Sequence, residues 1–318
     1  MDYKTHYDLI ILGAGPAGMT AGVYAARKQL DTLIITENVG GQATWSSDVE
    51  NYLGYIYISG VELVQKFEEH LKKFDVKVEF TTASKLSLVD GGFKVDTADS
   101  RTFFGRAVIV ATGKSPRLLD VPGEKEFTGR GVTYCATCDG PLYSGKAVAV
   151  VGGGNSGLDA AVQLIKICPK VYIIEFTDQL RADQVMIEQV TKADNVEILV
   201  SNAVKEIKGD TFVHSLIVED RVSLETRTLD VEGVFVEVGL TPNTDFIKGL
   251  VELNKYGEIP VDCGGHTGIP GLYAGGDVTT VPEKQIIIAA GDGAKAALGA
   301  YSYLVRQPIS DDWSSKTS

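Results

Sequence analysis

The chain has 318 residues, 44% of them hydrophobic, with 35 glycines and a formal net charge of −12. These values describe a globular α/β chain of about two domains, taking roughly 150 residues as a unit, and not a disordered or fibrous one. The acidic balance argues against nucleic acid, which is bound through clustered Lys and Arg, and no run of about 18 apolar residues offers a membrane span.

The start, from Met1 to Asp8, is polar and leads straight into a strand with no apolar leader region, so the protein is expected to stay in the cytoplasm. Residues 7 to 12 read as a buried parallel strand, followed by a glycine turn and a small-residue helix from Pro16 to Lys28. A strand over Thr32 to Thr36 completes a β-α-β unit, with Glu37 at its end. Val61, Leu63, Val64, Phe67 and Leu71 give 61 to 73 the spacing of an amphipathic helix. Short alternating segments at 76 to 81, 84 to 89, 93 to 96 and 102 to 104 predict a small antiparallel sheet. Ala107 to Gly113 returns to a buried strand that ends in a glycine turn.

A second β-α-β unit starts at Ala147 to Val151, continues through a helix near 156 to 167 and reaches the strand Val171 to Glu175. Val234 to Gly239 resembles the late strand of such a unit, and Gly271 to Asp277 starts one more. The expected architecture is therefore α/β, with two Rossmann-like nucleotide-binding domains, the second inserted into the first. Each is expected to carry a parallel sheet plus a small antiparallel sheet. The first domain spans 1 to 117 and 247 to 318 and the second 118 to 246, with Pro116, Pro122 and Pro242 marking the crossings. The tail after Pro308 is polar and reads as frayed, with Trp313 as a residue that could dock.

Gly13-Ala14-Gly15-Pro16-Ala17-Gly18 matches G-x-G-x-x-G between a strand and a helix. In that setting the first glycine permits the turn, the second lets the backbone approach a pyrophosphate and the third allows close helix packing. The phosphates then sit at a helix N-terminus, and Glu37 is placed to accept from a ribose hydroxyl. Gly152-Gly153-Gly154-Asn155-Ser156-Gly157 is a second match, with Glu175 and Phe176 at the end of the following strand. An acidic side chain there suits a free ribose and repels a 2′-phosphate, so NADH is favoured over NADPH.

The four cysteines are too few and too scattered for a secreted disulfide scaffold. No second C-x-x-C completes a zinc site, and His6, His70, His214 and His266 show no ligand spacing, so no metal is expected. Cys135 and Cys138 are spaced so that one thiolate can attack and the other resolve the mixed disulfide. Asp139 is adjacent and could exchange a proton with a leaving thiolate, or simply cap a turn. Cys168 and Cys263 have no partner in the sequence and read as structural.

In combination, Gly13 to Gly18, Gly40-Gly41-Gln42, Glu50-Asn51-Tyr52, Ala111-Thr112-Gly113, Cys135-Ala136-Thr137-Cys138-Asp139, Gly152 to Gly157 and Gly275-Gly276-Asp277 resemble the low-molecular-weight thioredoxin reductases. The resemblance covers essentially the whole chain. It implies FAD at the first turn, a nicotinamide nucleotide at the second, and a homodimer. It implies that Glu37, Gln42 and Asn51 contact FAD, while Asp277 and the Lys284-Gln285-Ile286 segment hold its ribityl and isoalloxazine parts. It also implies that Cys138 faces the flavin, that Cys135 attacks a partner, that Asp139 acts as acid and base, and that the inserted domain rotates about its two crossings.

One departure concerns the donor. NADPH-using members carry a basic cluster where this chain has Glu175-Phe176-Thr177-Asp178-Gln179. Here, and at Ala182 to Val185 and Thr279 to Ile288, the chain is similar instead to the NADH-using flavoprotein component of alkyl hydroperoxide reductase. That component has an extra N-terminal dithiol module. This chain begins at the FAD strand, so its electrons are expected to leave to a thioredoxin or glutaredoxin-like protein. Three rivals remain: a ferredoxin-dependent reductase, which would lack the second glycine turn; a peroxide-forming NADH oxidase, which would not require the dithiol; and a nucleotide-binding redox sensor without turnover.

Overall fold

The computed structural model describes residues 4–46 and 49–307. The frayed tail and the docking of Trp313 fall outside the described residues. The chain opens with β1 (His6–Ala14), whose residues Leu9 to Leu12 are almost fully buried. Both faces of this strand are covered, which explains an apolar run rather than an alternation. Leu9 and Ile11 pack toward the side that also holds Met19, Ala21, Ala296 and Ala300, while Ile10 and Leu12 join Phe93, Phe103 and Ile247 on the other.

Helix α1 (Pro16–Arg27) follows with proline in its first turn, where a missing N–H costs nothing. Strand β2 (Thr32–Val39) lies parallel to β1. Helix α2 (Gly60–Lys72) starts with a reciprocal cap, in which Ser59 accepts from the Glu62 N–H and Glu62 accepts from the Ser59 N–H. Strand β3 (Lys77–Phe80) then pairs parallel with β2. This corrects the expectation that 76 to 81 belongs to the antiparallel sheet. α2 acts as a crossover, and a half-exposed edge strand alternates in polarity like an antiparallel one.

Strands β4 (Ala83–Val89), β5 (Gly92–Thr97) and β6 (Thr102–Val110) form the antiparallel part. β6 is one strand where two segments are expected, and it runs on from its pairing with β5 to lie beside β1 along its length. Gly105, in its middle, is no break. A Cβ there would stand 2.9 Å from the Ile10 side chain, so the glycine serves close packing of neighbouring strands.

After β7 (Lys114–Pro116) and β8 (Val132–Thr133) comes the one-turn helix α3 (Ala136–Asp139), which begins inside the Cys135–Cys138 pair. Strand β9 (Ala147–Val151), helix α4 (Asn155–Leu164) and strand β10 (Lys170–Ile174) give the second β-α-β unit, with α4 ending at Leu164 rather than 167. Helix α5 (Gln184–Lys192) leads to β11 (Val196–Leu199). The meander β12 (Asn202–Gly209), β13 (Val213–Asp220) and β14 (Thr226–Asp230) forms a separate antiparallel sheet that covers one face. β15 (Gly233–Val236) returns to the centre, giving the parallel order β11-β10-β9-β15-β8.

Strand β16 (Leu240–Pro242) pairs antiparallel with β7, so the two segments that pass between the sheets lie side by side. β17 (Leu272–Ala274) adds to β6 in parallel, and α6 (Ile286–Leu304) packs across α1. The first sheet thus takes strands from 6 to 110 and from 272 to 274, whereas the five-stranded parallel sheet draws on 132 to 236. Among the described residues, no helix is long and apolar enough to cross a membrane.

Candidate functional site

A cavity of about 1200 Å³ opens at the carboxyl ends of β1, β2 and β6 and extends to the disulfide. Its lining includes Gly13, Gly15, Pro16, Ala17, Glu37, Gly41, Gln42, Ala111, Thr112, Gly113, Gly276, Asp277, Lys284, Gln285 and Ile286, together with Cys135, Cys138 and Asp139. The structure therefore brings together most of the first-turn candidates and all three residues expected to be catalytic. Gly18 and Asn51 are not in the lining. Gly18 packs behind the turn, and the Asn51 side chain donates to Gln285 Oε1 at 3.0 Å, one residue removed from the wall. Gln42 is anchored by donating to the Lys114 carbonyl at 2.6 Å.

The two glycine turns obey the same steric rules. Gly13 and Gly152 have φ of 104° and 123°, and a Cβ on either would press into a backbone oxygen, Ala111 O at 2.4 Å or Glu237 O at 2.5 Å. A Cβ on Gly18 or Gly157 would meet the oxygen of the first glycine of its own turn, at 1.8 and 1.9 Å. Gly15 and Gly154 differ, because both are extended and no protein atom lies within 4 Å of an added Cβ. The protein itself makes no demand for glycine there. The space suits a ligand that must approach the backbone, as a dinucleotide pyrophosphate does, so the first turn and its cavity fit FAD.

At the second turn, Glu175 accepts from the Gly153 N–H at 2.6 Å with one oxygen and from the Thr177 N–H at 2.7 Å and hydroxyl at 2.6 Å with the other. Burial disfavours its ionised form, but the bonds from Thr177 and Gly153 outweigh this and hold the carboxyl below its usual range. Asn155 accepts from the Asp183 N–H at 2.8 Å and so ties the turn to α5. Phe176 is exposed, and the Arg221 guanidinium lies 3.7 Å from its ring centroid. Arg221 arrives from the end of β13, far off in sequence, and nothing in the local pattern announces it. Of the second-turn candidates only Ser156 reaches the cavity wall; Gly152, Gly154, Asn155, Gly157, Glu175 and Phe176 lie outside it.

Cys135 and Cys138 are joined, with Cα atoms 5.3 Å apart. Asp139 closes α3 and is buried, and its carboxylate accepts from the Thr133 hydroxyl, which in turn accepts from the Cys135 N–H at 3.3 Å. The Asp139 side chain makes no capping bond to the following turn, and it lies beside the dithiol on the cavity wall. Tyr134 lies against Trp45, their rings 6.2 Å apart, and donates to Glu124 at 3.1 Å. Burial and the Glu124 charge push the Tyr134 phenol up to about 12, so it stays neutral. Local pattern carries no signal for Trp45 or Tyr134, because their contact joins segments on either side of the cavity.

Lys114 pairs with Glu258 at 2.6 Å, and Lys284 lies 3.6 Å from the same carboxylate oxygen while donating to the Thr279 carbonyl at 2.6 Å. Burial pushes the Asp277 carboxyl up against the pull of Lys284 and Lys114. Asn243 locks the base of the crossings: its side chain donates to the Thr112 carbonyl and its own carbonyl accepts from the Thr112 hydroxyl, each at 2.8 Å. Cys168 is buried and its thiol donates to the Tyr143 carbonyl, as a structural cysteine would. Cys263 is exposed, so the packing role expected for it does not hold. Among the described residues no cluster of His, Cys, Asp and Glu could hold a metal ion.

Two dinucleotide-type turns, with a disulfide opening onto the cavity of one of them, are what the fold and the site bring together. The chain belongs to the pyridine nucleotide-disulphide oxidoreductase family, whose model matches residues 7–293. A component of the alkyl hydroperoxide reductase of Escherichia coli is 44% identical over 311 residues, covering 96% of this chain and 60% of that protein. A NADH dehydrogenase of Bacillus subtilis is 41% identical over 303 residues, covering 95% and 60%. Thioredoxin reductase from Streptococcus pyogenes superposes with a TM-score of 0.91 at 39% identity, covering 96% of this chain and all of that one. The chain thus spans about three-fifths of the curated relatives it matches and the full length of solved thioredoxin reductases.

Proposed function

We propose that the protein carries electrons from a nicotinamide nucleotide, NADH in preference to NADPH, through FAD and the Cys135–Cys138 disulfide to a thioredoxin or glutaredoxin-like protein. The observation that carries this reading is the disulfide itself, which lines the same cavity as the first glycine turn. FAD bound there would supply acceptance of a hydride and onward delivery of two electrons to sulfur. Gly13, Gly15 and Gly18 shape the phosphate turn, Glu37 stands ready for a ribose, and Asp277 with Lys284 to Ile286 lines the inner wall. Asp139 lines the cavity beside the dithiol and would exchange a proton with it.

The second turn would take the nicotinamide nucleotide. Glu175 keeps its charge, and its Oε2 accepts a single bond from Gly153, which leaves it a lone pair for a ribose hydroxyl. A 2′-phosphate would meet that charge, although Arg181 and Arg221 are close by. The name of the Bacillus subtilis relative is in keeping with NADH. The disulfide takes the place beside the first site while most of the second turn lies outside it, which supports alternation between two arrangements. On this reading, units 1–117 with 247–318 and 118–246 turn about β7 and β16, in a homodimer in the cytoplasm. The likeness to alkyl hydroperoxide reductase supports a second class of acceptor, a disulfide protein that serves peroxide reduction.

Mixing the purified flavoprotein with NADH and NADPH in a stopped-flow instrument tests the donor. Flavin bleaching is expected to be faster with NADH; faster bleaching with NADPH overturns the reading of Glu175, and none with either points to another donor such as ferredoxin. Replacing Cys135 and Cys138 by Ser should leave flavin reduction intact and abolish disulfide turnover. Persistent oxygen consumption as the main activity would instead identify an oxidase, and no turnover in either form a sensor.

A further inference from the structure

Glu237 follows directly on β15, and β15 lies between β9 and β8 in the parallel sheet. The residue therefore stands between the strand end that carries the Gly152 turn and the strand end that leads into the dithiol. In open α/β sheets, bound groups gather outside these carboxyl ends. The main chain of Glu237 packs against the turn, since its carbonyl oxygen is the atom that excludes a Cβ from Gly152. Glu237 lines the same cavity as Cys135, Cys138 and Asp139, and the backbone of Ala136, inside the disulfide ring, is near enough to favour its ionised form.

The charge that acts on Glu237 is negative, and no cation among the described residues opposes it. α4 contributes Asp159, the α3 segment contributes Asp139 and the two cysteines, and the Gly152 turn brings no charge. The cations of the cavity, Lys114 and Lys284, are engaged with Glu258. Burial, with Asp159 adding to it and the Ala136 backbone opposing, pushes the Glu237 carboxyl up to about 7.

We propose that Glu237 is a positioning residue for the dithiol: its carboxyl, on the cavity wall shared with the disulfide, takes up one of the two protons that accompany opening of the Cys135–Cys138 disulfide. This rests on the reading of that disulfide as redox-active. Two electrons from a dithiol or reduced flavin break the S–S bond, one proton goes to one sulfur, the second goes to Glu237, and the other sulfur remains a thiolate. A thiolate on the wall that an ionised Glu237 also lines would add a second negative charge to a partly buried site, and protonating the carboxyl removes one of the two. The neutral carboxyl thereby favours the reduced, attacking form of the pair.

Because the reduced protein binds more protons, its formation must weaken as pH rises through the window that opens near 7 and closes at the higher value imposed by the thiolate. Across that window the equilibrium constant for reduction should fall by up to about tenfold per pH unit more in the wild type than in Glu237→Gln. The experiment holds the purified flavoprotein in dithiothreitol redox mixtures at a series of pH values, traps thiols with iodoacetamide and counts them by mass. Glu237→Gln should lose the added steepness and Glu237→Asp should keep it. An identical pH profile in wild type and Glu237→Gln overturns the proposal. A disulfide that no mixture opens in either protein overturns instead the redox reading of the pair. Should Glu237→Gln fail to fold, Asp159→Asn must move the steep segment to lower pH, and an unmoved segment overturns the proposal.

Discussion

Alanine at Gly15 and alanine at Gly18 are the same chemical change with opposite expected consequences. At Gly18 the added Cβ would stand 1.8 Å from the Gly13 oxygen, a backbone atom that cannot swing aside, whereas at Gly15 it meets no protein atom within 4 Å. Gly18→Ala is therefore expected to destabilise the fold by roughly 3 kcal/mol or more. Gly15→Ala should leave the melting temperature of the flavin-free protein unchanged and lower its flavin content after purification. Thermal unfolding with a flavin absorbance measurement checks both, and a Gly15→Ala protein that keeps its flavin would remove the ligand from the explanation of that glycine. The glycines and the cysteine pair were legible in the sequence because each is a local pattern with a physical cause. Glu237, Trp45 and Arg221 were not, since each gains its meaning from a neighbour across a fold that local pattern does not specify.

At the scale of elements, the β-α-β units were readable because buried parallel strands show as apolar runs ahead of a glycine turn. β3 was misplaced for an equally physical reason, its exposure at the edge of the sheet. α6 escaped altogether: its Ala- and Gly-rich run has no polar stripe, so it shows no helical periodicity to read. That same composition is what lets it cross α1 closely. A Cβ on Gly293 would lie 2.0 Å from the Ala17 carbonyl oxygen, and Ala17 lines the cavity. Gly293→Ala should force the two helices apart, lowering stability by roughly 3 kcal/mol and releasing flavin. A melting temperature equal to that of the wild type would show that the helices can shift without cost.

At the scale of the molecule, the expected rotation separates surfaces that now touch, and Trp45 against Tyr134 is one of them. The sequence has two tryptophans, so in a Trp313→Phe background Trp45 is the sole indole. Its emission, corrected for absorption by the nucleotide, is expected to change when NADH is added, as Tyr134 moves off with the dithiol. Emission that stays the same through turnover would mean that the two units keep this arrangement.

The return of the chain to its first sheet also bears on how the protein is made. The wall of the cavity is completed by Gly275 to Asp277 and by Lys284, Gln285, Ile286 and Ala289, well after the sheet that carries the dithiol is complete at Val236. During synthesis the middle unit can fold as it emerges from the ribosome. The first sheet, whose strands begin at His6, lacks β17 and the packing of α6 until 272–304 has been made. Flavin binding is then expected to wait for Gly275 to Ala289, and a chain interrupted before them would present the disulfide without that part of the cavity wall beside it.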